Sequence, residues 1–139
     1  MTALALVAGA VIACTAPTVH DGDTLRCGPD RIRLFGVDAP EVRRGKTPAE
    51  PLAYEARDLL TKLTRGRVGC RVVDEDRYGR KVARCWSSAS PDLNAAMIRS
   101  GLTTEWRAYS NGAYAAAQDE ARTAARGLWA PGAAPRRLR

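Results

Sequence analysis

Residues Arg31–Glu41 read RIRLFGVDAPE, and the fold follows from how this stretch is parsed. Ile32, Leu34, Phe35 and Val37 predict a well-buried strand from Arg31 to Val37. Pro40 ends it, because proline has no N–H to give a ladder and keeps the preceding residue out of the helical region. Asp38 and Glu41 therefore fall at a strand end, where side chains can be aimed at a ligand. Arg33 lies five residues before Asp38, and strict alternation would put the two on opposite faces. A bulge or twist near Gly36 is needed to bring them together.

Two further motifs flank this strand. VHDGDT (Val19–Thr24) sets Asp21-Gly22-Asp23 between two β-prone runs, Thr15–Val19 and Thr24–Cys27, a strong short-range hairpin signal. DRYGR (Asp76–Arg80) ends a second turn on an arginine. Together these motifs supply carboxylates and two arginines, the requirements of phosphoryl chemistry on a hard cation. Calcium takes oxygen ligands from carboxylates, backbone carbonyls and water, and Asp23 and Asp38 are the expected ligands. Glu41 is placed to take a proton from an attacking water, or to orient it. Arg33 and Arg80 carry planar guanidiniums that match the oxygens of a five-coordinate phosphorus in a way lysine cannot. Taken singly, each has a plainer reading: an arginine as a solvated ion pair, Asp21 as a residue that tolerates a turn.

The remainder reads as alternating strands and helices. Val42–Pro51 is a polar, basic loop beside the acidic strand end, carrying Arg43, Arg44 and Lys46, and could cover a bound strand. Leu52, Ala56, Leu59, Leu60 and Leu63 recur at helical spacing before Gly66. Val68–Asp74 and Lys81–Trp86 form a hairpin, Asp92 caps a helix over Leu93–Arg99, and Ala113–Arg126 carries an apolar stripe through Tyr114, Ala117, Ala121 and Ala124. About five strands, one helix inserted and two following, predict an α+β fold: a small closed OB-like barrel with three helices.

The chain has 139 residues, a formal charge of +7, 45% hydrophobic and 27% charged residues, which describes one folded domain. The charge fits a polyanionic partner, and equally fits solubility alone. Ala3–Ala13 is an unbroken apolar run of signal-peptide length, so residues 1–13 are expected to be an export signal, with 14–129 the domain and 130–139 a basic, disordered tail. VIAC (Val11–Cys14) also fits lipid attachment at Cys14, and a first β-strand is the third reading. A single histidine and no C-x-x-C spacing argue against a zinc site or a Ser-His-Asp hydrolase. Cys14, Cys27, Cys70 and Cys85 allow three pairings. The hairpins favour Cys14 with Cys27 and Cys70 with Cys85, all four being reduced if the chain is cytosolic.

VHDGDT, RIRLFGVDAPE, DRYGR and DLNAAMIRSGL, in that order, resemble the motifs of the staphylococcal-type thermonucleases over about Thr15–Trp129. The resemblance implies an OB barrel with three helices and calcium-dependent hydrolysis of DNA and RNA, and the protein is expected to be an exported monomer. It places the metal carboxylates on Asp23 and Asp38 with Asp21 nearby, the metal-binding carbonyl on Ala39, the glutamate on Glu41 and the phosphate-binding arginines on Arg33 and Arg80. The nucleotide-binding tyrosines are not cleanly reproduced. Tyr109 is the nearest candidate, with Trp106 and Tyr114 expected in the core. The rival expectation is a non-catalytic nucleic-acid-binding barrel of the same family, and a lipid-anchored barrel is the third.

Overall fold

The computed structural model describes residues 9–139. Six strands form one curled sheet: β1 (Val11–Thr15), β2 (Thr18–Asp21), β3 (Thr24–Cys27), β4 (Asp30–Leu34), β6 (Arg67–Glu75) and β7 (Lys81–Ser87). Their spatial order is β1-β6-β7-β4-β3-β2, antiparallel throughout except for the parallel β4–β7 pair. A separate two-stranded pair joins β5 (Val37–Asp38) to β8 (Thr104–Glu105). Among the described residues four α-helices pack around this half-barrel: α1 (Ala53–Leu63), α2 (Leu93–Arg99), α3 (Arg107–Ser110) and α4 (Ala115–Thr123). The architecture is α+β and OB-like. Among the described residues no helix is long and apolar enough to cross a membrane.

The expected apolar positions build the core. Leu25, Ile32, Leu34 and Val68 on strands meet Leu60 of α1 and Leu93, Met97 and Ile98 of α2, all essentially inaccessible. Each such side chain is worth roughly 1.5–3 kcal/mol of burial. Asp92 caps α2 as expected, accepting from Ala95 N–H at 3.0 Å. Asn94, fully buried, ties α2 to the sheet: its carbonyl accepts from Cys85 N–H at 3.0 Å, and its amide donates to the carbonyls of Phe35 (2.9 Å) and Ala83 (3.1 Å).

Several expectations need correction. The strand predicted over Arg31–Val37 stops at Leu34; the chain turns at Phe35-Gly36 and resumes as β5 in the second sheet. Gly36 makes the break possible, with φ +71° and with Ser110 Cβ only 2.7 Å from where a Cβ would stand. A change of sheet, rather than a bulge, thus solves the alternation problem between Arg33 and Asp38. The run Thr15–Val19 is likewise divided at Ala16, φ +47°, giving six strands in the main sheet instead of five. The last predicted helix is shorter, and α3 precedes it as a fourth.

Residues 1–8 of the expected export signal lie outside the described residues. Val11–Ala13 belong to β1, whose alternate residues Ile12 and Cys14 face inward. Both expected disulfides are present. Cys70 and Cys85 are directly opposite in the β6–β7 ladder. Cys14–Cys27 joins β1 to β3 across 5.5 Å between Cα atoms, although the two strands are far apart in sheet order, so it fastens the two ends of the curled sheet. That bond also occupies the sulfur that lipid attachment would use. Two such bonds fit an oxidising compartment.

The closing residues return to the body of the domain. Arg136 retains only 12% side-chain exposure, ion-paired to Asp38 at 3.1 Å and Glu50 at 3.3 Å, and the Arg139 carbonyl accepts from Arg107 N–H at 2.9 Å. Buried carboxylate supplies the attraction that composition does not reveal.

Replacing Asn94 by alanine takes the partner from the Cys85 N–H and from the Phe35 carbonyl, while the Ala83 carbonyl still accepts from the Phe35 N–H at 2.8 Å. Asn94→Ala is expected to lower stability by about 3 kcal/mol in urea unfolding; a loss below about 1 kcal/mol would show that these bonds do not fasten α2 to the sheet.

Candidate active site

The short turn Asp21-Gly22-Asp23 lies tightly on α1, because a Cβ at Gly22 would sit 2.8 Å from Ala56 Cβ. This contact carries both aspartates inward, where each is less than a tenth exposed. The Asp23 carboxylate is the best connected group nearby. It accepts from Ala39 N–H and from the Thr24 hydroxyl, both at 2.8 Å, and faces Arg33 Nη1 at 2.7 Å. Arg33 thus balances the charge of Asp23.

Arg80 is fixed differently. Asp76 folds the DRYGR turn around its own carboxylate, accepting from the backbone N–H groups of Tyr78 and Arg80 at 3.0 Å each and from Arg80 Nε at 2.7 Å. Burial pushes the Asp76 carboxyl up, but these donors outweigh it and hold it below the usual range. The guanidinium also lies over the Tyr78 ring, at 5.5 Å.

A cavity of about 750 Å3 brings these groups together. Asp21, Asp23, Asp38, Glu41, Arg33 and Arg80 all line it, along with Arg44 and Tyr109. Three sequence candidates stand apart. Ala39 lines a smaller adjoining cavity with Arg136, Arg43 faces a neighbouring groove, and Lys46 is exposed on the loop without lining any of these. Tyr109 is 39% exposed, and its hydroxyl donates to Asp74 at 2.8 Å. Tyr114 is in the core, as expected. Trp106 is not: it lines the cavity, under the Arg33 guanidinium at 5.3 Å and the Arg139 guanidinium at 5.0 Å.

Asp76, Trp106, Arg136 and Arg139 are the participants that sequence reasoning missed. The D-x-x-G-R turn was a usable signal for Asp76, since aspartate commonly caps its own turn. The tail arginines carried no such signal.

The acids differ in charge state. Burial raises the Asp23 carboxyl, yet the Arg33 guanidinium and the hydrogen bonds to it prevail and hold it below the usual range. Asp21 is pushed up to about 8 by burial and by the adjacent Asp23. Asp38 is raised by burial and by Asp23, with Arg136 and Arg139 offsetting part of the rise. Glu41 is exposed, and among the described residues its carboxylate has no ion-pair partner. Asp21 and Asp38 are thus held back from ionising chiefly by burial, and hard oxygen donors of this kind suit a divalent cation. Among the described residues no three His, Cys, Asp or Glu side chains converge closely enough to enclose an ion. Two carboxylates with a backbone carbonyl and water would have to form the shell.

The sign of the pH effect follows from Asp21. Its folded pKa exceeds the unfolded value of 3.8, so the folded state holds a proton that the unfolded state has lost, and stability falls as pH rises from about 4 to about 8. Asp38 acts in the same direction, whereas the depressed Asp23 acts oppositely, below that window. In chelator, Tm of the protein should fall across this range and Asp21→Asn should flatten the fall; equal slopes in the two proteins would place the titration elsewhere.

A family model described as Staphylococcal nuclease homologue matches residues 31–131. The succinoglycan biosynthesis protein ExoI of Rhizobium meliloti (strain 1021) is 33% identical over 124 residues, covering 81% of this chain and 62% of that protein. Proteins named probable endonuclease LCL3 are 34% identical over 110 residues in Leptosphaeria maculans (71% of this chain, 37% of that protein) and 36% over 116 residues in Talaromyces marneffei (70% and 34%). The chain thus spans between about a third and 62% of the length of these relatives. With the family model covering well over half of its residues, the chain belongs to the staphylococcal nuclease homologue family.

Proposed function

We propose that the protein is a nuclease that hydrolyses phosphodiester bonds of DNA and RNA with a bound hard divalent cation, calcium by preference. The single observation that carries this reading is the gathering of Asp21, Asp23, Asp38, Glu41, Arg33 and Arg80 around one cavity. Relatives named probable endonuclease support it. Asp23 and Asp38 would hold the cation, with Asp21 beside them and the Ala39 carbonyl as a further oxygen. When bound, it would neutralise phosphate charge and lower the cost of developing negative charge at phosphorus.

The protein's own groups do the rest. Glu41, unpaired and at the cavity rim, accepts a proton from the water whose oxygen attacks phosphorus. Arg33 offers its guanidinium to one non-bridging oxygen, and Arg80, held through Nε by Asp76, grips another. As the new P–O bond forms, the bond to the leaving oxygen breaks, and that alkoxide takes a proton from solvent. Trp106 and Tyr109 present ring faces and edges to the adjoining nucleotide. Export of the chain accords with the two disulfides.

A second reading, a nucleic-acid-binding module without turnover, is favoured by the tail, because Arg136 and Arg139 put positive charge on Asp38 at the position a cation would claim.

Glu41→Gln should retain the fold and lose roughly 10²–10⁴-fold in cleavage of single-stranded DNA in calcium, and chelator should abolish cleavage by the parent protein. Equal activity with calcium and with chelator, or none in either, would defeat the catalytic reading. Removing residues 130–139 frees Asp38, and calorimetry should then show calcium binding about tenfold tighter, the equivalent of roughly 1.4 kcal/mol. Unchanged affinity would mean that the tail and the cation do not compete.

A further inference from the structure

A second groove, of about 620 Å3, opens beside the catalytic cavity between the β2–β3 hairpin and the start of α1. Five arginines line it, Arg26, Arg31, Arg43, Arg57 and Arg80, and no carboxylate does. His20, Thr24, Arg31 and Arg80 line both spaces, so the groove runs on from the site where the phosphate would be cut.

Its charge is poorly compensated. Arg26 stands directly opposite Arg31 in the β3–β4 ladder, and like charges in that relation destabilise a sheet. Among the described residues neither has a carboxylate within ion-pairing distance; Arg31 donates only to the Tyr78 carbonyl. Arg43 bonds only the carbonyl of Gly45, at 3.1 Å. Arg57 and Arg80 are the exceptions, Arg57 partly balanced by the exposed Asp58 at 3.2 Å and Arg80 by Asp76 at 2.7 Å. Arg57 also lies 4.8 Å over the ring of Tyr54, which is 40% exposed. An acid-free furrow of guanidiniums with an accessible aromatic ring combines the two devices by which proteins hold single-stranded nucleic acid: a positive track for phosphates and a π-face for bases.

We propose that this groove is an extended subsite for the single strand flanking the scissile phosphate, with Arg26 and Arg31 sharing one backbone phosphate and Tyr54 stacking on a base. A strand held in this way is extended and unpaired, because the inward-stacked bases of an intact duplex cannot reach Tyr54. This inference rests on the nuclease reading only for what happens next door; the groove would bind a strand whether or not it is cut.

Arg26→Ala and Tyr54→Ala, alone and together, test it, since neither residue lines the catalytic cavity. The probe is a fluorescein-labelled single-stranded DNA of about 12 nucleotides, within the range bound by OB folds, with phosphorothioate linkages and calcium-free buffer, read by anisotropy. The double variant should bind it about tenfold or more weakly, and Arg26→Ala should lessen the slope of log affinity against log salt by about 0.7. Turnover of a dinucleotide should be unchanged, and the Tm of Arg26→Ala should not fall, because an opposed like charge has been removed. Unaltered affinity and salt slope would overturn the proposal, as would equally tight binding of a 12-base-pair duplex or of inorganic polyphosphate of matched charge. Should the parent protein cleave nothing while strand binding still depends on Arg26 and Tyr54, the catalytic reading fails and the groove stands. Should it cleave while the variants bind the strand as tightly as the parent, the groove proposal fails and the catalytic reading stands.

Discussion

The carboxylate of Asp23 holds the architecture and the chemistry to one another. It reaches from the β2–β3 turn to the Ala39 backbone beyond β5 and to Arg33 on β4, joining segments from both sheets at one buried point. A buried charge of this kind is costly unless it is paired and hydrogen-bonded, and here it has an ion-pair partner and two donors. Because Ala39 is pinned to it, Asp38 must lie beside Asp23. The distance between the two acids is a property of the scaffold, not of flexible side chains.

The neighbours of this carboxylate are unequal. Asp23 stays ionised, while Asp21 and Asp38, less well supplied with donors, resist losing their protons. Groups with pKa values pushed apart in one cleft are a recurrent mark of functional sites. The arginines are anchored in different ways: Arg80 is held through Nε by the Asp76 of its own turn, whereas Arg33 is paired with Asp23 from a different segment.

Much of this could be read in the residues because it is local. An Asp-Gly pair between β-prone runs makes a hairpin whatever surrounds it, and the β6–β7 hairpin sets Cys70 opposite Cys85, whereas Cys14 reaches Cys27 from β1, outside the β2–β3 hairpin. The periodic leucines before Gly66 and the capping Asp92 likewise needed no distant partner. What could not be read depends on contacts across the fold. Phe35 and Val37 are both β-prone, and only the press of Ser110 and Tyr114 against Gly36 shows that the strand must break between them. Trp106 resembled any core aromatic, and nothing near Arg136 in sequence announces Asp38, ninety-eight positions earlier.

The placement of that distant arginine traces back to a spot with no side chains. Gly101 and Gly127 cross backbone to backbone: Leu128 N–H donates to the Gly101 carbonyl at 2.8 Å, and a Cβ on Gly101 would stand 2.3 Å from the Arg126 carbonyl oxygen. Both glycines have positive φ. The heading on which the final residues leave the body is set there, as a pulley sets the line of a rope, before any guanidinium meets an acid. Direction and chemistry are thus specified separately: the closing residues could be exchanged without rerouting the strap, while one added methyl at the crossing would redirect all of it.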